Sequence, residues 1–462
     1  ESSTRSITLM LRSLLSIHNW YWAEDRFCPP MDRADPATLI ETVRTLRGQF
    51  AGVAADSQKG TVRLIRDHLG INKLFFAIHE SGEVAAANHL IELVKHGIPM
   101  EGIFSVPAGH ILELDVYDKR LTLIPYFKLK LQAVDGRSML EDWAVGIRRE
   151  LETWFERLAR HFGCRHICVC LSGGLDSGLI GAFAKRFFDR VTCYTYGYVQ
   201  DGCPPTDDAA YARQLAQCLG CPFRFVPATA CDVMRVVERA LVSGQDWRDF
   251  NAHCAIVNDL LAEAIEQDWI RSGDSMPPLV LTGDLMNELL SDYSPITYGG
   301  REYYRLPRLD VHSLRSALVK GLDAGDREVG VFARHGLDLI QPYGLLADRY
   351  LELPTALVCS EGGKQRLVRA VASDLLPAWI FERRKVRAQI GTVNEPVGIL
   401  PTLVDAGCDE NRFRSMFCRL LGIQKETFLN SFIRLGRYRY LAQFPDGGVR
   451  DGYLTRHDRR SC

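Results

Sequence analysis

The sequence has almost no net charge, no uninterrupted apolar span and no cysteine framework, and each absence removes a class of function. Lys and Arg number 56 against 57 Asp and Glu, a formal net charge of −1, so no global basic field favours nucleic acid as a partner. No segment reaches the ~18 uninterrupted apolar residues of a membrane span. The run from Ile7 to Ile17 is broken by Arg12 and lacks a small-residue cleavage pattern, so it is not read as a signal peptide. The 14 cysteines are scattered rather than regularly spaced. Cys168, Cys170 and Cys193 lie inside apolar runs, as small buried hydrophobes of a reducing compartment do. Cys218-Leu-Gly-Cys221 is followed by no second pair at zinc-site spacing and reads as structural. There is no internal repeat and no low-complexity tract. The expectation is a cytoplasmic protein with no membrane and no nucleic-acid partner; a homo-oligomer is compatible with the pattern.

What is present is a globular composition, 47% apolar and 24% charged over 462 residues, long enough for two or three domains because single cores stop growing near ~250–300 residues. From Gly48 to about residue 130 the chain is β-rich, with short runs such as "GQFAGVAAD", "TVRLIRD" and "LFFAIHE" between turn residues. The stretch "LQAVDGRSML" reads as a boundary, placing one domain over 1–133 and a second over 134–462. Ser138 and Glu141 have capping-box spacing. Leu140, Trp143, Ile147, Leu151, Trp154, Leu158 and Phe162 then follow as one helical apolar stripe. From Ile167 strand and helix alternate: "ICVCLS", a helix over Ser177–Phe188, "VTCYTYGY", a helix over Asp207–Leu219, "FRFVP", a helix over 252–267, and "PLVLTGD". That alternation predicts an α/β domain with a doubly wound parallel sheet.

Between the first strand and its helix stands Ser172-Gly173-Gly174-Leu175-Asp176-Ser177. The glycines remove side chains so that backbone N–H groups can close on an anion, and the following helix points its positive end to the same place. Ser172 and Ser177 add hydroxyls. Asp176 would repel a bare polyphosphate, which implies Mg²⁺ between them. The Gly-x4-Gly-Lys-Ser/Thr pattern is absent, so the loop is not of the Walker type.

"SGGLDS" resembles the pyrophosphate loop of the N-type ATP pyrophosphatases, and its neighbours resemble the asparagine-synthetase-like family. "VTCYTYGY" is similar to the strand whose end contacts adenine, which falls on Tyr196 and Gly197. "LVLTGDLMNELLSDY" resembles the second pyrophosphate segment, bringing in Gly283, Asp284 and Asn287. "ARHGLDLIQPYGLL" resembles the substrate-side segment and puts Asp338 among the catalytic candidates. "LLPAWIFERRKVRAQIG" resembles the late segment whose catalytic lysine falls on Lys385. Upstream, "RGQFAGVAAD…VRLIRDHLGINKLFFA…VPAGHILEL" resembles the glutaminase-type domain, an Ntn-type α+β sandwich. The resemblance covers roughly residues 48–400, and the order of all its segments makes it specific. It implies ATP as cosubstrate, Asp176 and Asn287 as Mg²⁺ ligands, adenylation of a carboxylate with loss of pyrophosphate, and displacement of AMP by an amine.

Three departures narrow the expectation. The family glutaminase uses an N-terminal cysteine; here residue 1 is Glu and the first cysteine is Cys28, so the domain reads as a degenerate scaffold. Asn287 stands where the family has aspartate, and Asp284 where asparagine synthetases have glutamate and β-lactam synthetase tyrosine, open to a metal or base role. Ile340 stands where arginine is usual. The losses match the β-lactam synthetase and lasso-peptide cyclase branch. They imply an ATP-dependent amide ligase of natural-product or peptide (antibiotic) biosynthesis, acting on a small-molecule or peptide carboxylate and an amine without glutamine hydrolysis. Alternatives are an ammonia-using asparagine synthetase, a tRNA-modifying adenylating enzyme and a binding-only homologue. In "ERRKVR" the cations fit an adenylate and pyrophosphate better than nucleic acid, and His335 reads as a packed histidine.

Overall fold

The computed structural model describes residues 11–23, 26–27, 39–56, 58–79, 83–128, 139–200, 207–290, 296–304, 325–354, 357, 362–383, 388, 390, 397–434, 437–439 and 449–451. Its backbone packing forms two units: one of 1–128, 320–324 and 418–462, the other of 129–319 and 325–417.

In the first unit a five-stranded antiparallel-paired sheet and a four-stranded mixed sheet bury one apolar cluster. Strands Ala51–Asp56, Thr61–Arg66 and His110–Asp115 pair in antiparallel register, with Val53 opposite Leu64 and Leu64 opposite Leu112. Their inward residues meet Phe76, Val84, Ala86 and Phe104 of the other sheet. Alternation with a period of two makes one face of each sheet apolar, and two such faces seal each other. The expected second domain of 134–462 needs correction at its end. Val449–Asp451 pairs with Arg120–Thr122, and Ser105 N donates to Arg439 O at 2.8 Å, so the last part of the chain returns to the first unit. Backbone pairing of an otherwise open sheet edge overrides sequence adjacency here.

The second unit is built on a five-stranded, all-parallel sheet in the order Phe223–Ala228, Val191–Tyr198, Ile167–Cys170, Leu279–Leu281, Asp338–Ile340. Ile167–Val169 and Leu279–Leu281 are fully buried, as continuous apolar strands covered on both faces must be. Taken in chain order the sheet runs 3-2-1-4-5. The order therefore reverses between Ile167–Cys170 and Leu279–Leu281, and a crevice opens beyond their carboxyl ends. The helix Leu140–Phe162 buries Ile147, Leu151, Trp154, Leu158 and Phe162, the expected stripe. It starts after an extended Met139 without a side-chain cap, and Ser138 of the expected capping box lies outside the described residues. A complete capping box forms instead at Thr229, whose side chain accepts from Asp232 N while its own N–H is bound by Asp232. No helix among the described residues is long and apolar enough to cross a membrane.

Candidate active site

Strand Ile167–Cys170 delivers Leu171 and Ser172 to the reversal of strand order, and helix Leu175–Phe187 starts from Gly174. Ser172 N donates to Ser177 Oγ at 3.0 Å, and Gly174 N donates to Ser172 Oγ at 3.3 Å. These bonds fold the loop tightly onto its own helix. Gly173 has φ +70°, and a Cβ there would stand 2.5 Å from Ala212 N, so glycine is required twice over. Gly283, at the end of the neighbouring strand, closes on the loop from the other side: a Cβ would lie 2.4 Å from Ser177 N. Leu285 follows in the left-handed region at φ +78°, a strained turn of the kind concentrated at functional sites. The Tyr343 hydroxyl donates to Asp176 O at 2.8 Å and fixes the loop from below.

A cavity of about 220 Å³ occupies the crevice. Ser172, Asp176, Ser177, Tyr196, Gly283, Asp284 and Asn287 line it; Gly173, Gly174 and Leu175 form the loop behind that lining. Helix Asp249–Ser272 supplies its apolar wall through Phe250, Cys254, Val257 and Leu261. Two oxygens of lining residues, Tyr196 Oη and Asp208 Oδ2, are buried without a hydrogen-bond partner, whereas Asp176 Oδ1 is met by the Lys364 ammonium as an ion pair. Buried polar atoms left this way are costly unless a ligand or water meets them.

The two ends of the cavity differ electrostatically. At the far end Asp284 is half-buried and its carboxyl is pushed up to about 7, by loss of hydration first, then by the neighbouring Glu328, with Arg327 opposing. Arg327 donates to Glu288 at 2.7 Å and to Glu328 at 2.5 Å while its guanidinium covers the Phe250 ring at 4.5 Å. At the loop end Arg383 donates to Ser172 O at 3.2 Å, pairs with Asp208 and stacks 4.3 Å over Tyr211. Burial raises the Asp208 carboxyl to about 6, and only Arg383 opposes that shift.

The expected metal ligands do meet, but around a lysine. Lys364 Nζ lies 2.6 Å from Asp176 Oδ1, 2.7 Å from Asp176 Oδ2 and 2.7 Å from Asn287 Oδ1. With the ammonium at their common centre, these donors do not fit a resident Mg²⁺. Among the described residues no group of three or more His, Cys, Asp or Glu side chains is arranged to hold a metal.

Two expectations are corrected by placement. Asp338 is the first residue of its strand, opposite Leu279, so it sits at the amino end of the parallel sheet, away from the crevice. There it binds the Arg165 guanidinium at 2.6 Å, both side chains 7% exposed, a buried pair with a structural role. Gly197 does not line the cavity; a Cβ would strike the Phe225 ring at 2.4 Å, so packing accounts for it. Lys385 lies outside the described residues, as do Arg384 and Arg387. His335 is packed as expected, with Nδ1 2.8 Å from Glu266 and Nε2 3.1 Å from Asp259. Lys364 and Arg327 were not singled out as site residues by sequence reasoning, whereas Arg383 lies in the basic run that was. Lys364 stands alone in "EGGKQRL", with no local pattern that marks it.

Comparison with known proteins finds two family models and several relatives. A family model described as asparagine synthase matches residues 158–319, and one described as glutamine amidotransferase domain matches residues 31–95. Glutamine-hydrolyzing asparagine synthetases of Mesocricetus auratus and Homo sapiens are each 24% identical over 388 residues, 76% of this chain and 64% of the relative. "Amidase chry2" of Gibberella zeae is 24% identical over 298 residues, 55% of this chain and 41% of that protein. The chain thus spans less than two thirds of the length of these relatives. Among solved structures, NMN synthetase from Francisella tularensis aligns with a TM-score of 0.30 at 13% identity, covering 67% of this chain and 99% of that one. The NH3-dependent NAD synthetase from Campylobacter jejuni aligns with a TM-score of 0.25 at 16% identity, covering 40% and 73%. Over residues 158–319 of the parallel-sheet unit and residues 31–95 of the first unit, the chain is similar to the asparagine-synthetase-like family.

Proposed function

We propose that the protein is an ATP-dependent carbon–nitrogen ligase that adenylates a carboxylate and passes the acyl group to an amine. One observation carries this reading: a single cavity joins the Ser172–Ser177 loop, whose lining residues are bonded by Lys364 and Arg383, to the carboxyl of Asp284, pushed up to about 7. In the first step a substrate carboxylate oxygen attacks the α-phosphorus of ATP, and the bond to the β,γ-pyrophosphate breaks. The loop N–H groups, the Ser172 and Ser177 hydroxyls, Lys364 and Arg383 are the groups placed to hold that leaving anion.

In the second step the amine nitrogen attacks the acyl carbon, the bond to AMP breaks, and the amine's surplus proton needs an acceptor. Asp284 in its ionised form is that base. A carboxyl near 7 is well matched to this task, since a base of the usual carboxylate strength would take the proton too weakly. Lys385 is assigned the stabilisation of negative charge on the carbonyl oxygen and the departing phosphate. Asparagine-type amidation with free ammonia uses the same steps, and the amine is the point on which the two readings differ.

Incubation with ATP and candidate carboxylates, analysed by nucleotide chromatography and mass spectrometry, tests the proposal. AMP and pyrophosphate in equal amounts with an amide product are expected; stoichiometric ADP and phosphate would overturn it.

A further inference from the structure

The point between Asp176 and Asn287 is filled by part of the protein. Helix Gly363–Ala372 begins after Gly362, whose φ of +67° makes the turn that aims the second helical residue, Lys364, inward. The Lys364 side chain is 7% exposed. Its ammonium donates to Asp176 Oδ2 and to Asn287 Oδ1, each at 2.7 Å, and stands 2.6 Å from Asp176 Oδ1 as an ion pair. Mg²⁺ would require oxygens at ~2.0–2.1 Å in near-octahedral array. The charges close as well: Asp176 contributes −1, Asn287 is neutral and Lys364 contributes +1. A second carboxylate at position 287 would leave −1 in excess and draw in a divalent cation; the amide leaves no such excess.

We infer that Lys364 is the resident cation of this site, taking the place of a protein-bound metal ion, and that its ammonium, rather than an ion shared by Asp176 and Asn287, faces the pyrophosphate of bound nucleotide. Arg383 is the second protein cation at the same loop. The inference rests on the ligase reading of the site and deepens it, since it changes what the nucleotide must bring. Pyrophosphate binding should persist without divalent metal, because fixed protein cations already oppose its charge.

Two probes test this on the full chain: Mn²⁺ alone, followed by electron paramagnetic resonance, and pyrophosphate titrated calorimetrically in excess EDTA. Wild type is expected to show no stoichiometric Mn²⁺ site and to bind pyrophosphate in EDTA. Lys364→Met should weaken that pyrophosphate affinity about tenfold or more, the scale of one lost charge-assisted bond. Asn287→Asp keeps Lys364 and should tighten Mn²⁺ binding about tenfold or more, so it decides the matter even if Lys364→Met fails to fold. A stoichiometric Mn²⁺ site in wild type that Asp176→Asn abolishes would overturn the inference. Pyrophosphate binding that requires Mg²⁺ would also overturn it, while leaving the ligase reading intact. A chain that binds neither ATP nor pyrophosphate in any condition defeats both.

Discussion

Arg383 donates to the main-chain oxygen of Ser172 at 3.2 Å across 211 residues of chain, tying a late residue of the second unit to the glycine loop near its start. The same guanidinium pairs with the buried Asp208 and stacks on Tyr211, so one side chain holds three elements around the loop. Arg383→Ala should raise the Kd for ATP about tenfold or more, the scale of a lost charge-assisted contact, as read by calorimetry. Arg383→Lys should recover little, because a compact ammonium can neither fork between two acceptors nor stack on the ring. ATP binding within twofold of wild type in both variants would remove Arg383 from the site.

The base role proposed for Asp284 implies a pH dependence. Its carboxyl is pushed up to about 7, and the base must be ionised, so the amide-forming rate should rise with pH through about 7. Asp284→Asn should lose ~10²–10⁴-fold in rate and lose that limb of the profile. The stability sign is opposite. A carboxyl raised above its unfolded value favours the fold at low pH, and that contribution is lost as pH rises toward 7. Asp284→Asn should therefore raise the melting temperature more at pH 8 than at pH 5. An unchanged pH–rate profile would sink the base assignment.

Lys385 is tested by separating binding from chemistry. Lys385→Ala should keep ATP affinity and melting temperature while losing ~10²–10³-fold in product formation, the usual cost of one preorganised donor. Lys385→Arg should rescue poorly. Product formation within a few-fold of wild type in Lys385→Ala would move the transition-state contact elsewhere.

Gly283 and Gly197 separate loop closure from packing. Gly283→Ala forces a methyl against Ser177 N at 2.4 Å, where only backbone can yield. It should weaken ATP binding and cost ~1–3 kcal/mol in stability. Gly197→Ala meets the Phe225 ring at 2.4 Å and should cost a similar amount of stability with ATP affinity retained. Denaturant melts paired with ATP titrations read both. Equal loss of binding in the two variants would contradict the division drawn between them.

Two buried histidines push stability in opposite directions with pH. His253 is wholly buried, its ring 2.8 Å from the Tyr304 hydroxyl, and burial lowers its pKa to about 3. The unfolded chain takes up that proton below about 6.5, so stability is complete above this pH and falls as pH drops toward 3. For His335 burial lowers the pKa, but the bonds to Asp259 and Glu266 outweigh it and the net shift is upward. Its contribution is present below about 6.5 and is lost as pH rises through the folded value. His335→Gln should lower the melting temperature more at pH 6 than at pH 9. A pH-independent loss would make the ring a packing group only.

Much of this was legible in the chain because it depends on neighbours in sequence. The strand Val191–Tyr198 appears over the predicted "VTCYTYGY", and the helices Leu175–Phe187 and Asp207–Cys218 fall within two residues of their predicted bounds. Apolar periodicity and glycine placement are local signals, and so is the anion loop they frame. The residues that tertiary structure decided are those whose partners are far away. Lys364 reaches Asp176 across 188 residues, and no local pattern marks a lysine that will be buried on a carboxylate. Asp338 carries a motif position expected of a catalytic candidate. Because parallel strands share one direction, however, the first residue of its strand falls at the amino end of the sheet, where Arg165 claims it across 173 residues. The sequence by itself determined which segments become strands, helices and an anion loop. Only the folded topology decided which cation faces that loop, because a long-range ion pair is selected by which chain ends the sheet order brings together.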